Sequence, residues 1–400
     1  MYNRMLAAQP SASAPEEALR IAPPSVSPPA QGALLVFGST NWQQMGKKLG
    51  VELDGAPNLL SPHRLLGGLG GVRVVYIASS CVSAHVIALG EGGEAFSWGR
   101  NDSGQLGHGD TTTRATPTRV ASLKGKTVGC ATGKAHSLFV SEEGGLCGCG
   151  ASKTGCVGPA GLKNKKSEHE ASPLTIPLAS PVAAVSCGSN FCLARDKEAS
   201  HPLHWPCHGT CYTWGNAGHG RLGHKDQKDR WVPAALPEIK AESVQAGMAH
   251  SLALAYPVCK GAPSVYMWGR VNPSRDAWMY PKPEDELRGW SVHAFGVGHN
   301  HNVVHADSSI IAWGSPCASG ELGFGPGDLA SPSLAHHTSI DARTVRGEML
   351  VTATVDALPE FTPVEVAIAE EEAEPPKGQT KASSKRKASP AASAAKKGKK

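Results

Sequence analysis

Histidine and cysteine are the side chains through which this sequence could do chemistry, and their spacing restricts what that chemistry is. His85, His136 and His250 stand at the same place in three similar segments, VSAHV, GKAHS and GMAHS. A single active site needs its histidine once. A histidine that recurs with the segment serves the segment's construction, where a buried polar ring finds a hydrogen-bond partner. A second group, His201, His204, Cys207, His208 and Cys211, falls within eleven residues and consists of zinc-ligand types. Its C-x3-C spacing is not matched by a second pair at finger spacing, so the sequence assigns no metal site and no cofactor. GHGRLG, residues 218–223, has the form G-x-G-x-x-G. That fingerprint works only between a strand and a helix of a βαβ unit. Here charged HKDQKD follows, and the glycines read as a loop. The chain carries no G-x-S-x-G, no Walker loop and no H-E-x-x-H, and we expect no catalytic residues. Asn101-Asp102-Ser103 is a glycosylation sequon, without a secretory route to use it.

Charge makes a second candidate. The formal net charge is +5, yet residues 375–400 hold nine Lys or Arg and no acid, which leaves −4 for residues 1–374. Any strong attraction to an anionic polymer therefore belongs to the tail. Lys385, Arg386 and Lys387 form one basic cluster and Lys396, Lys397, Lys399 and Lys400 another, with the small-residue spacer ASPAASAA between them. Two short clusters on an extended linker have the form of a two-part nuclear import signal, and would equally contact nucleic-acid phosphates without sequence preference. Ser389 lies in RKASP within the first cluster. A phosphate there would subtract up to ~2 charges and oppose both uses.

The elements that must carry these residues follow from composition. Forty-six glycines and 30 prolines with 6% aromatic residues suit many short strands and tight turns, in an all-β chain. The longest apolar runs, such as GALLVF, are too short to span a bilayer. The Pro-, Ala- and Ser-rich stretch 1–31 lacks a signal-peptide core and reads as disordered, as does the acidic-then-basic stretch 364–400. Eleven cysteines without a signal sequence read as reduced, mostly buried thiols.

Between those stretches, residues 32–363 repeat themselves. FSWGRNDSGQLGHGD from Phe96, YTWGNAGHGRLGHKD from Tyr212, VYMWGRVNP from Val265 and IIAWGSPCASGELGFG from Ile310 share an aromatic-glycine opening, and three of them share G-x-L-G. LLVFGSTNWQQMGKK from Leu34 and LCGCGASKTGCVGPA from Leu146 are weaker copies. The opening glycines Gly38, Gly99, Gly150, Gly215, Gly269 and Gly314 lie 45 to 65 residues apart, the length of a propeller blade with its loops. Trp98, Trp214, Trp268 and Trp313 occupy the aromatic position beside them. Gly104, Leu106 and Gly107, and again Gly220, Leu222 and Gly223, form loops in which glycine takes positive φ while the leucine plugs an apolar layer. Cys147 and Cys149 read as small strand residues in a degenerate opening.

The pairing of W-G, G-x-L-G-x-G and G-x-x-H-S resembles the regulator-of-chromosome-condensation repeat family, over most of the chain. Kelch and WD repeats carry different marks. The resemblance implies a β-propeller, with six recognisable blades where the family has seven, and no active-site triad. The segment DKEASHPLHWPCHGTC stands where a further blade would lie, and the last copy lacks its G-x-x-H-S. A propeller hides its open edges by pairing its first and last strands. Stretches not needed for a generic blade, TNWQQMGKK, NPSRDAWMYPK and LPEFTP among them, narrow the resemblance to one branch of the family. Members of that branch bind small GTPases of the Rac and Ral type, microtubules and chromosomal sites in dividing cells. The resemblance thus implies a non-catalytic regulator or scaffold, with a small GTPase, microtubules or chromatin, and a nuclear import carrier as partners, in nucleus and cytoplasm. Guanine-nucleotide exchange on a Ran-, Rac- or Ral-type GTPase is the alternative it implies.

Overall fold

Short apolar strands joined by glycine turns leave each strand beside the one before it, and the chain accordingly folds as successive antiparallel meanders. The structure, a computed structural model, describes residues 34–39, 58–65, 67–158, 168–197, 209–257, 263–270, 277–307, 309–314, 322, 339–341 and 360–361. These residues form a β-propeller with six blade sheets or half-sheets. The first blade holds β1 (Leu35–Ser39), β2 (Asn58–Leu65) and β22 (Glu360–Phe361). The second is β3 (Val74–Ala78), β4 (His85–Gly90), β5 (Ala95–Gly99) and β6 (Arg114–Arg119). The third is β7 (Thr127–Thr132), β8 (His136–Ser141), β9 (Leu146–Ala151) and β10 (His169–Thr175).

The fourth and fifth blades share a seven-stranded sheet. It contains β11 (Val182–Cys187), β12 (Phe191–Asp196), β13 (Gly209–Gly215), β14 (Arg230–Ala246), β15 (His250–Pro257), β16 (Ser264–Gly269) and β17 (Trp278–Pro283). The cause is β14, 17 residues long. Its first half pairs with β13 as the outer strand of blade four, and its second half pairs with β15 as the inner strand of blade five. The sixth blade is β18 (Val292–Val297), β19 (His301–Ala306), β20 (Ser309–Gly314) and β21 (Ser339–Asp341). Among the described residues no helix is long and apolar enough to cross a membrane.

The opening glycines sit at or near the end of the third strand of each four-stranded blade, and each pairs in register with the residue that begins the second strand: His85 with Gly99, His136 with Gly150, Phe191 with Gly215, His250 with Gly269, His301 with Gly314. A Cβ built on any of these glycines would fall 2.5 to 2.8 Å from the Cα of its partner. No flexible side chain could relieve that contact, which explains why glycine recurs there.

The apolar cores lie between blades. One joins Ile87 and Leu89 of blade two to Val120, Cys130, Phe139 and Cys149. Another joins Leu138, Val140, Leu146 and Ile176 of blade three to Val182, Cys192 and Trp214 of blade four. Leu193, Leu222 and Leu236 meet Ile239, Ala253 and Trp268 across the next boundary, and Leu252, Val265 and Met267 meet Phe295, Val304 and Trp313 across the last. Leu65 joins Ala88 and Trp98 where blades one and two adjoin. A four-stranded sheet cannot cover its own faces, so stability comes from stacking neighbours.

β22 lies parallel to β2, with Glu360 opposite Arg64 and Phe361 opposite Leu65. Glu360–Phe361, within LPEFTP, thus returns to the first blade and covers an edge that β2 would otherwise present to solvent.

Candidate functional site

Three blade boundaries, two–three, three–four and four–five, carry a polar lock built from the repeat. In the G-x-L-G loop, the carbonyl of the second residue faces the following blade or the outer part of its own boundary. The Gln105 carbonyl accepts from Ser137 Oγ at 2.7 Å and from Cys149 Sγ at 3.3 Å. The Arg221 carbonyl accepts from Ser251 Oγ at 3.2 Å and Trp268 Nε1 at 2.9 Å. The Cys156 carbonyl accepts from Trp214 Nε1 at 2.9 Å and Cys192 Sγ at 3.6 Å. Cys149 therefore replaces the tryptophan of its repeat as both packing group and donor. Within the loop, Ser97 Oγ donates to the Leu106 carbonyl at 2.7 Å and Thr213 Oγ1 to that of Leu222 at 2.7 Å. Both leucines are wholly buried.

The repeat histidines also bridge boundaries, His85 from blade two to three and His250 from blade five to six. His85 Nε2 lies 2.8 Å from Ser137 Oγ. That hydroxyl donates its one proton to Gln105, so the imidazole must be the donor in this pair. Asn302, with its amide nitrogen turned to the ring, donates to His250 Nε2 at 2.9 Å and to the His301 carbonyl at 3.2 Å, while its oxygen accepts from Trp313 Nε1 at 3.3 Å. Burial and the neighbouring His136 push His85 down to about 3; burial, with His301 and His299 nearby, brings His250 down to about 4. Both rings are neutral at physiological pH.

His136 is the exception. Its Nε2 lies 3.2 Å from Cys192 Sγ, and the ligand atoms of His136, Cys187 and Cys192 all lie within 4.8 Å of one another. Cys156 lies beside them: its carbonyl accepts from Cys192 Sγ at 3.6 Å, and Thr154 Oγ1 stands 3.3 Å from its sulfur. All four residues are at most 2% exposed. Burial opposes charge here, yet the thiols raise His136 well above its ordinary value. In return, Cys192 and His136 outweigh burial at Cys187 and bring it to about 7, and they pull Cys156 down as well. The cluster thus gathers one imidazole and three sulfur atoms between blades three and four. A Cys–His pair can act as a nucleophile only where a substrate reaches it, and this one is sealed.

On the surface, two loops repeat an ion pair. Asp110 meets Arg114 at 2.8 Å and Asp226 meets Arg230 at 2.9 Å, and the guanidinium holds each carboxyl down at about 2. Beside the second loop, Lys225 Nζ stands 5.7 Å from the Tyr280 ring centre, and Lys282 lies over Trp278 at 5.1 Å and Tyr280 at 5.4 Å. Cations and aromatic faces thus share one exposed edge, which is the makeup of a protein-docking surface.

The other sequence candidates are placed as follows. Asn101 is buried, and its amide donates to the carbonyls of Asp110 and Thr112 at 3.0 Å each, so the sequon is part of a loop's interior. GHGRLG is the blade-four loop and leads into β14, a strand. Of the 201–211 group, Cys211 is buried in β13, where burial and Asp196 push its thiol up to about 12; the other four lie outside the described residues. Lys385, Arg386, Lys387, Ser389, Lys396, Lys397, Lys399 and Lys400 also lie outside them. Sequence reasoning missed the His136 cluster. The available signal was the appearance of cysteine at three different repeat positions around one histidine.

Residues 92–140 and 208–254 match the family profile "Regulator of chromosome condensation (RCC1) repeat". The chain is 30% identical over 383 residues to the Protein RCC2 homolog of Xenopus laevis, covering 76% of this chain and 73% of that protein. The chain belongs to the RCC1-repeat family. Human Protein RCC2 is 28% identical to this RCC1-repeat chain over 372 residues, covering 74% of it and 70% of the relative. Among solved structures, Prp20p from Saccharomyces cerevisiae, described with its binding properties to Gsp1p and histones, superposes with a TM-score of 0.57. It is 17% identical and covers 73% of this chain and 70% of its own, a likeness of fold.

Proposed function

We propose that this RCC1-repeat chain is a non-catalytic regulator of cell division and the cytoskeleton that holds a small GTPase on its loop-bearing face. The reading rests on the 30% identity to an RCC2 homolog across three quarters of the chain. The propeller supports it physically. Rigid blades hold the Asp226–Arg230 loop and the Lys225, Tyr280 and Lys282 edge in fixed relation, so a partner surface forms without a mobile lid. Microtubules or chromatin are its second class of partner, and the basic tail engages a nuclear import carrier, giving a nuclear and cytoplasmic distribution. Binding and exchange differ in one respect. Exchange requires the face to favour the nucleotide-free GTPase over the loaded one.

A nucleotide-release assay with the purified chain against Ran-, Rac- and Ral-type GTPases separates the two. Stable capture of one GTPase without faster release is the expected result, with Lys225→Glu/Lys282→Glu weakening capture about tenfold or more, as loss of charge complementarity does. Acceleration of release would replace the scaffold by an exchange factor. No capture of any of the three would remove both.

A further inference from the structure

We propose that the boundary between blades three and four is a structural zinc site, with Cys187, Cys192, Cys156 and His136 as its ligands. The repeat itself supplies the argument. The residue ending the inner strand is Thr132 in blade three, Ala246 in blade five and Val297 in blade six, and Cys187 in blade four. The residue after the one that begins the second strand is Val86, Ser137, Ser251 or Asn302 elsewhere, and Cys192 here. The second residue of the glycine loop is Gln105, Arg221 or Glu321 in the G-x-L-G copies, and Cys156 in the G-C-V-G loop here. The other boundaries need only a hydroxyl or amide to close the lock. This one replaces all three positions by thiols and aims them at the one repeat histidine that meets sulfur.

A buried cysteine is ordinarily an inert small apolar group. Cys130 and Cys211 fit that description, each packed in an apolar cluster. The four residues at this boundary do not. Their atoms adjoin one another, with Cys192 Sγ 3.2 Å from His136 Nε2 and 3.6 Å from the Cys156 carbonyl, and with the Cys187 sulfur within 4.8 Å of both His136 and Cys192 ligand atoms. Tetrahedral zinc holds sulfur at about 2.3 Å and nitrogen at about 2.0–2.1 Å, which sets donors roughly 3.4–3.8 Å apart. The ligand atoms of His136, Cys187 and Cys192 lie within 4.8 Å of one another, and Cys156, outside that group, would turn its sulfur in from the adjoining loop as the fourth ligand.

Charge is also accounted for. Binding releases the thiol protons to solvent and leaves three thiolates, one neutral imidazole and Zn²⁺, a net −1. Arg221 lies close by, 8% exposed, its guanidinium 5.7 Å from the Phe191 ring centre, and Cys156 is among the charges acting on it. Since the site is closed, the metal enters during folding and then joins two blades that otherwise share only packing and hydrogen bonds.

The test uses the full chain, expressed with zinc supplied and purified under reducing conditions. The expected result is one zinc per chain, released by a mercurial thiol reagent and read with a colorimetric chelator. Cys187→Ala and Cys192→Ser introduce residues that other blades carry at these positions, and are chosen to preserve the packing. Each should lower zinc affinity by on the order of 100-fold. Cys211→Ala should keep zinc. Should the cluster variants fail to fold, cobalt substitution of the wild-type chain decides, through thiolate-to-cobalt charge transfer and tetrahedral d–d bands. A zinc-free wild-type chain without those bands overturns the proposal. So does equal zinc retention in both cluster variants, or a Cys187–Cys192 disulfide in the intact mass.

Discussion

At the scale of single residues, the molecule spends its titratable groups on holding blades together. His85 and His250 stay neutral because a charged imidazole has no counter-charge within the boundary. The consequence for stability has a definite sign. In the unfolded chain these rings bind a proton near 6.5, and in the folded chain only at about 3 and about 4. Below pH 6.5 the unfolded state therefore binds more protons, and stability declines as pH falls toward 4, by at most about 1.4 kcal/mol per pH unit for each ring. His136 runs the opposite way. Its folded value is raised, so its contribution is present below 6.5 and fades as pH rises through that folded value. The comparison that isolates one ring is His250→Gln. Its melting temperature should depend less steeply on pH between 7 and 5 than the parent's, as followed by circular dichroism. Parallel slopes would show that His250 takes up no proton on unfolding.

At the scale of elements, the strand that matters most per residue is the two-residue β22. It is the described contact by which residues beyond Asp341 return to the first blade, and it pairs in parallel where the rest of the meanders pair antiparallel. Proline at Glu360 would remove the donor that this short ladder needs and crowd the strand opposite. We expect Glu360→Pro to cost about 1–2 kcal/mol, the worth of a ladder hydrogen bond with some strain. Amide exchange in residues 58–65 should speed up while the boundary between blades four and five stays protected. Unchanged protection of β2 would mean that the edge is covered by something else. The element-scale lesson of β14 is different. Two blades that share one long strand cannot separate without breaking it, so this boundary should be among the last to open.

At the scale of the whole molecule, charge is divided between two parts of the chain, with −4 over residues 1–374 against nine cations in the last 26. Removing residues 385–400 should abolish nuclear accumulation and retention on DNA-cellulose while leaving the thermal transition of the propeller in place. Retention of the full chain should weaken steeply with salt, since it would come from phosphate neutralisation alone. Ser389→Asp places a negative charge inside the first cluster and should reduce nuclear signal in cells. Unaltered localisation of that variant would detach Ser389 from import.

Much of this architecture was legible in the sequence because the determinants are local and repeated. Gly99, Gly215 and Gly269 announce a close strand approach through residue type alone, and Leu106 and Leu222 announce the plug of a loop whose shape is set by the glycines around it. The fold class followed from those, since units of that length with exposed apolar faces have to stack. Stacking also decides what sequence could not. His136, Cys156, Cys187 and Cys192 come from the second strand of one blade, its outer loop, and two strands of the next, and no spacing rule joins positions so far apart. The lateral packing of blade three on blade four brings them to one point. The pairing of β22 with β2 has the same origin. Two residues carry too little pattern to predict a partner some 300 positions away, and the partner is chosen by an open edge that exists only once the blades are assembled.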